Sequence, residues 1–206
     1  VMLQQVMLQQ VMLQQVRNEM KGEVISLSIG EPDFVTPWNI REAGIYSLEQ
    51  GYTHYSPNQG YMDLREQIAV YMKRKFSVSY DPKSEIIVTV GGSEGLDLMS
   101  RALLNPGDEV VIIEPCFVAY KATVMMASGV PVIVNTSAEN DFKVRAEDIE
   151  AAITEKTKFI MIGYPNNPTG ATMTREEYLP IVEVLERHPH VMILSDELYA
   201  ELSYLN

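Results

Sequence analysis

A chain of 206 residues, 46% of them apolar, has the length of one or two domains and enough hydrophobic material for a sizeable core. Sixteen Lys and Arg stand against 28 Asp and Glu, and the net charge of −12 argues against nucleic acid or an anionic membrane as partner. Cys116 is the single cysteine, so no disulfide can close within the chain, and His54, His188 and His190 lack zinc-ligand spacing. A reducing cytoplasm fits best, and no metal is expected.

The chain begins with VMLQQ repeated three times, residues 1–15. The tract is too short for a membrane span and lacks the charged start and continuous apolar core of a signal peptide. Each five-residue step rotates the apolar face by about 140°, so no stripe builds up along a helix. It reads as a duplicated tract, or as an arm that becomes helical only against a neighbouring subunit.

The first strong periodicity predicts a helix from Met62 to Phe76, with Leu64, Ile68, Tyr71, Met72 and Phe76 on one buried face. EIIVTV, residues 85–90, predicts a strand, followed by Gly91 and Gly92 and a helix from Ser93 to Leu104. After a turn at NPGD, EVVII predicts a strand, residues 117–127 a helix and VPVIVN a third strand. A short helix over 148–154, a strand at KFIMI, a helix opened by the Thr174/Glu177 capping box and a strand at VMILS complete the series. Pro180 is a misfit in that helix, costing about 3 kcal/mol unless the helix kinks or starts after Thr174. Five strands alternating with helices predict an α/β fold, a mainly parallel sheet with helices on both faces.

Ligands of such sheets bind outside the carboxyl ends of the strands, which singles out four loops. VGGSEG (residues 90–95) puts glycines and free N–H groups at a helix start, a favourable place for a phosphate, although a helix merely capped by Ser93 would look the same. EPCFVAY (114–120) places Phe117 where its ring could cover a flat ligand or simply pack in the core. GYPNNPTG (163–170) combines rigid prolines, permissive glycines and two asparagines beyond what a plain turn needs. SDELY (195–199) puts Asp196 at a strand tip, where it could cap a turn or hold a heteroaromatic nitrogen in its protonated form. A protonated pyridine is an electron sink, the property that pyridoxal 5′-phosphate brings to carbanion chemistry.

Taken in order, SIGEPDFVTP, HYSPNQGYMDLREQI, VGGSEGL, NPGDEVVIIEPCFVAY, YPNNPTG and SDELYAEL resemble the N-terminal half of a fold-type I, class I/II aminotransferase. The resemblance implies an incomplete large cofactor-binding domain over residues 51–206, an N-terminal segment of the small domain over 23–50 and an arm over 1–22. It implies pyridoxal 5′-phosphate as cofactor, its phosphate on the amides of Gly92, Ser93 and Glu94 and its ring stacked by Phe117. Asn167 and Tyr199 would hydrogen-bond the cofactor's 3′ oxygen, and Asp196 would hold the ring nitrogen. Gly30 and Asn167 would meet the substrate carboxylate, and Tyr55 would reach the cofactor phosphate of the other subunit in a homodimer with a shared active site. The plainer alternatives are that Gly30 belongs to a simple turn and that Tyr55 is a buried aromatic. Glu94 would have to turn its carboxylate away from a phosphate. The prolines matching Pro115 and Pro168 are often cis in that family.

The resemblance also implies a lysine bonded covalently to the cofactor some dozens of residues beyond SDELY, together with arginines for the phosphate and the substrate carboxylate. The lysines here run from Lys21 to Lys158 and all precede Asp196, so this chain alone is expected not to transaminate. A longer protein would exchange amino groups between an L-amino acid and a 2-oxo acid, most like the aspartate or aromatic branch. Lyases and synthases of the same fold, a noncatalytic cofactor-binding fragment and a nucleotide-binding module around VGGSEG are the alternatives.

Overall fold

The computed structural model describes Glu19 and residues 34–202. The repeats of residues 1–15 and Gly30 lie outside the described residues. By contacts the chain divides into two units, residues 1–88 and 89–206.

In the first unit, α1 (Trp38–Glu49) buries none of its residues. Helix α2 (Met62–Phe76) ends on Ser77 in the left-handed conformation, φ 59°. The expected apolar face is only partly realised: Ile68, Tyr71 and Met72 are half-buried, but Leu64 and Phe76 are exposed. The buried residue of α2 is Arg65, which donates to Gln59 Oε1 at 3.0 Å and to the Pro82 carbonyl at 2.7 Å. A buried guanidinium needs such acceptors, and here they tie the 81–85 turn to the helix. That turn is closed by Asp81, which accepts from Lys83 N–H at 3.0 Å and the Ser84 hydroxyl at 2.7 Å. Gly60 (φ +87°) lies so close to Val88 that a Cβ would come within 2.7 Å of the valine.

The strand expected at EIIVTV does not form. Residues 86–89 join no sheet, and Ile87 and Val90 are exposed. Composition supplies β propensity, but a strand also needs a partner ladder, and Val88 N–H finds only the Gln59 carbonyl, at 3.1 Å.

The second unit opens with α3 (Gly92–Leu103) and is built on a four-stranded parallel sheet of order β2-β1-β3-β4. The strands are β1 (Glu109–Glu114), β2 (Val130–Asn135), β3 (Thr157–Ile162) and β4 (Met192–Ser195). Between them run α4 (Ala119–Met126), α5 (Ala146–Ala152) and α6 (Arg175–Arg187). Period-two alternation divides the core into two faces. Val111, Ile113, Ile160 and Ile162 face Ile149 of α5 and Ile181, Val184 and Leu185 of α6. Val110, Ile112, Phe159 and Met161 face Leu96 of α3 and Tyr120 and Val124 of α4. The result is three layers, helices on both faces of a parallel sheet, as expected, with four strands rather than five among the described residues.

Helix α6 starts immediately after its Thr174 cap and runs through Pro180. Thr174 N–H donates to Glu177 Oε2 at 2.7 Å, and Glu177 N–H donates to Thr174 Oγ1 at 3.4 Å. Pro180 and Glu176 are both exposed, which puts the carbonyl that loses its partner on the solvent side of the helix. No helix among the described residues is long and apolar enough to cross a membrane.

Candidate active site

From β1 the chain crosses one face of the sheet through α4 to β2; from β3 it crosses the other face through α6 to β4 on the opposite side. The connections therefore diverge between β1 and β3, and a crevice opens outside the carboxyl ends of these two strands. The loop after β1 carries Phe117, the loop after β3 is GYPNNPTG, and the end of β4 carries Asp196.

The two asparagines of GYPNNPTG divide the work. Asn166 holds the loop: its Oδ1 accepts from Thr169 Oγ1 at 2.9 Å, its carbonyl from Gly170 N–H at 2.8 Å, and its own N–H donates to the Ala171 carbonyl at 2.9 Å. Tyr164 pins the same loop through its hydroxyl, which donates to the Phe142 carbonyl at 3.0 Å and accepts from Val144 N–H at 3.2 Å. Asn167 takes no part in this scaffold. Its Nδ2 lies 3.4 Å from the hydroxyl of Tyr199, a long contact that leaves both groups capacity for a ligand. The peptide bonds before Pro115 and Pro168 are cis, as the resemblance implied, and so is the one before Pro165.

Asp196 sits just past β4, its N–H bonded to the Ile162 carbonyl at 2.8 Å. Its Oδ1 accepts from Leu198 N–H at 3.1 Å, so it does cap the following turn. Its Oδ2 accepts from the Tyr120 hydroxyl at 2.7 Å, a contact that bridges 76 positions of sequence. Tyr120 is 5% exposed and stands edge-on to Phe117, ring centroids 6.1 Å apart. Burial, and then the bond to Asp196, pushes the Tyr120 phenol far up from its ordinary value, so it remains a donor. Cys116 nearby is pushed up to about 11, by burial and then by Glu114, and is held as the thiol. Phe117, Tyr120, Asp196, Asn167 and Tyr199 thus gather at the carboxyl ends of β1, β3 and β4.

Gly92, Ser93 and Glu94 stand apart from this chain of contacts, at the start of α3. The helix is entered through Gly91 at φ +80°, a conformation that favours glycine, and no side chain caps it. Ser93 therefore does not act as the cap, which was the plainer reading of VGGSEG. The carboxylate of Glu94 is turned back onto the N–H of Val90. Tyr55 belongs to the first unit and is fully exposed, which overturns its reading as a buried aromatic.

Sequence reasoning passed over Tyr120, a common residue type whose signal, a buried phenol needing an acceptor, becomes visible only when Asp196 is brought to it. Gly163 was read only as part of its loop, and its closeness to the Tyr120 hydroxyl is a matter of tertiary structure.

A three-layer domain with polar side chains converging at its switch point belongs to the ligand-binding α/β class. The model of the family "Aminotransferase class I and II" matches residues 22–205. The chain belongs to this family. It is 56% identical over 181 residues to the Bacillus subtilis (strain 168) protein YugH, which carries an aminotransferase name; the match covers 88% of this chain and 47% of that protein. To the aspartate aminotransferase of Bacillus sp. (strain YM-2) it is 43% identical over 189 residues, 90% of this chain and 48% of the relative. The solved structure of the aspartate aminotransferase of Thermus thermophilus with maleate superposes with a TM-score of 0.89 at 37% identity, over 98% of this chain and 52% of that one. The chain spans about half the length of the relatives it matches.

Proposed function

We propose that this chain carries the pyridoxal 5′-phosphate cradle of an aminotransferase that moves an amino group between an L-amino acid and a 2-oxo acid. The observation that carries the reading is Asp196: a carboxylate fixed by two donors at the switch-point crevice, beside Asn167 and Tyr199. The donor set fits the cofactor. Asp196 supplies an anion for a protonated ring nitrogen, Asn167 and Tyr199 supply donors for a ring oxygen, and Phe117 supplies an aromatic face. Gly92, Ser93 and Glu94 offer the unpaired N–H groups of a helix start to a phosphate, and Glu94 has already turned its carboxylate elsewhere.

When bound, the cofactor supplies the electron sink that makes the α-proton of an amino acid acidic. The chain's own part is orientation. Asp196 keeps the ring nitrogen protonated, Asn167 and Tyr199 fix the ring's rotation, and the rigid 163–170 loop keeps Asn167 in place. Asn167, together with Gly30, meets the substrate carboxylate. Tyr55, fully exposed, is assigned to the phosphate of a neighbouring subunit in a homodimer. Residues 51–206 then form part of the large domain, 23–50 part of the small domain and 1–22 an arm, in a cytoplasmic protein. No lysine follows Asp196, so the 206-residue chain by itself binds the cofactor without turning over.

Titrating the purified chain with pyridoxal 5′-phosphate in a calorimeter tests the reading, with NAD as the competing ligand. Saturable binding of the first, weakened about tenfold or more in Asp196→Ala, is expected. Binding of NAD instead would favour a nucleotide module and overturn it.

A further inference from the structure

We infer that Tyr120, passing over Gly163, is a positioning residue for Asp196, and that the three together make the site select a ring with a protonatable nitrogen over the same ring without one. The inference rests on the proposed cofactor reading and deepens it.

Three elements converge here. Tyr120 comes from α4, Gly163 from the residue after β3 and Asp196 from the residue after β4. A Cβ on Gly163 would lie 2.6 Å from the Tyr120 hydroxyl and 3.6 Å from Cβ of Asp196. Position 163 must therefore be glycine for the phenol to reach the carboxylate along this path. Here the absence of a side chain is a steric requirement, since Gly163 is not among the glycines of positive φ.

The contact is a charge-assisted one at 2.7 Å. With Leu198 N–H on Oδ1 and Tyr120 on Oδ2, both oxygens have a donor from the protein, and the carboxylate plane cannot swing. Each oxygen keeps one lone-pair site free, so the group can still accept from a ligand N–H. A carboxylate tethered through Oδ1 alone could rotate, and an N–H placed rigidly by other contacts would then meet it at a poorer angle. Because hydrogen bonds weaken steeply with misalignment, the loss falls on ligands that present a ring N–H and spares those that do not. Phe117 shares an edge-to-face contact with the same tyrosine, so the ring that would stack the ligand and the anion that would bind its nitrogen are fixed by one side chain.

The test compares the affinity of the full chain for pyridoxine 5′-phosphate and for its carbocyclic analogue with carbon in place of the ring nitrogen. Neither ligand carries an aldehyde, so surface lysines do not interfere. The wild-type chain is expected to prefer the pyridine by about tenfold or more, and Asp196→Ala, which leaves neither donor nor acceptor there, to abolish the preference. Tyr120→Phe, which keeps the ring and its packing, is expected to cut the preference by about fivefold while changing affinity for the carbocycle less than about twofold. Gly163→Ala, which blocks the path of the hydroxyl, is expected to behave like Tyr120→Phe. A merely structural role would weaken both ligands alike. If Asp196→Ala loses the preference and a folded Tyr120→Phe keeps it, the role of Tyr120 is overturned and the cofactor reading stands. If the wild-type chain shows no preference, or Asp196→Ala retains it, the cofactor reading fails and this inference with it.

Discussion

Asn166 and Asn167 are neighbours with opposite allegiances: the first bonds inward to Thr169 at 2.9 Å, the second outward to Tyr199 at 3.4 Å. Substitution should separate loop stability from ligand binding. Asn166→Ala is expected to cost about 1–3 kcal/mol of unfolding free energy, because it strips acceptors from a half-buried loop. Asn167→Ala is expected to cost less than about 0.5 kcal/mol and to weaken pyridoxal 5′-phosphate instead. Urea unfolding and calorimetric titration of both variants read the two effects.

Ile160 is fully buried in β3, between β1 and β4, where it packs toward α5 and α6. Ile160→Ala is expected to destabilise by about 2–5 kcal/mol, measured by urea unfolding, since a central strand cannot collapse onto the cavity.

Pro180 interrupts the hydrogen-bond ladder of α6 from an exposed position. Pro180→Ala restores a donor and a good helix former, and is expected to raise stability by about 1–3 kcal/mol. A thermal midpoint unchanged or lowered would show that the proline serves some packing purpose that its exposure conceals.

Acid should loosen the second unit from the α5/α6 face. The Glu177 carboxyl is held below its ordinary 4.5 by the Lys143 bond and then by Thr174 N–H, and that of Glu150 by His188 and then Arg187. The Asp148 carboxyl is held below its ordinary 3.8 by Arg145. A folded-state value below the unfolded one means stability present above the unfolded value and lost as pH falls through the folded one. The urea midpoint is therefore expected to be flat from about pH 7 to about pH 5 and to fall below about pH 4.5. Glu177→Gln should make that fall shallower, and an equally steep fall would remove Glu177 from the acid response.

The four strands were legible because long β-branched runs between turn signals are local features. Helix edges were legible only within a residue or two: the helix expected over 148–154 runs from Ala146 to Ala152, and the one expected over 117–127 from Ala119 to Met126. EIIVTV failed because a run can carry propensity without carrying its partner. Arg65 failed differently, since a period-based reading assigns charge to the outside and cannot see the carbonyls of Pro82 and Lys83 waiting for it. At the site, Asp196 and Phe117 stood out by their position at strand ends, whereas Asn167 was distinguished from Asn166 only by the family resemblance. Tyr120 did not, because its acceptor lies 76 positions away.

The central claim is an electrostatic one, that Asp196 keeps a bound ring nitrogen protonated. Nitrogen NMR of pyridoxine 5′-phosphate labelled at the ring nitrogen, bound to the wild-type chain and to Asp196→Ala, reads that proton directly. Expected is a protonated shift that holds from about pH 6 to about pH 9 in the wild type and titrates with pH in the variant. A neutral nitrogen in the wild type, or the same titration in both proteins, would contradict the account.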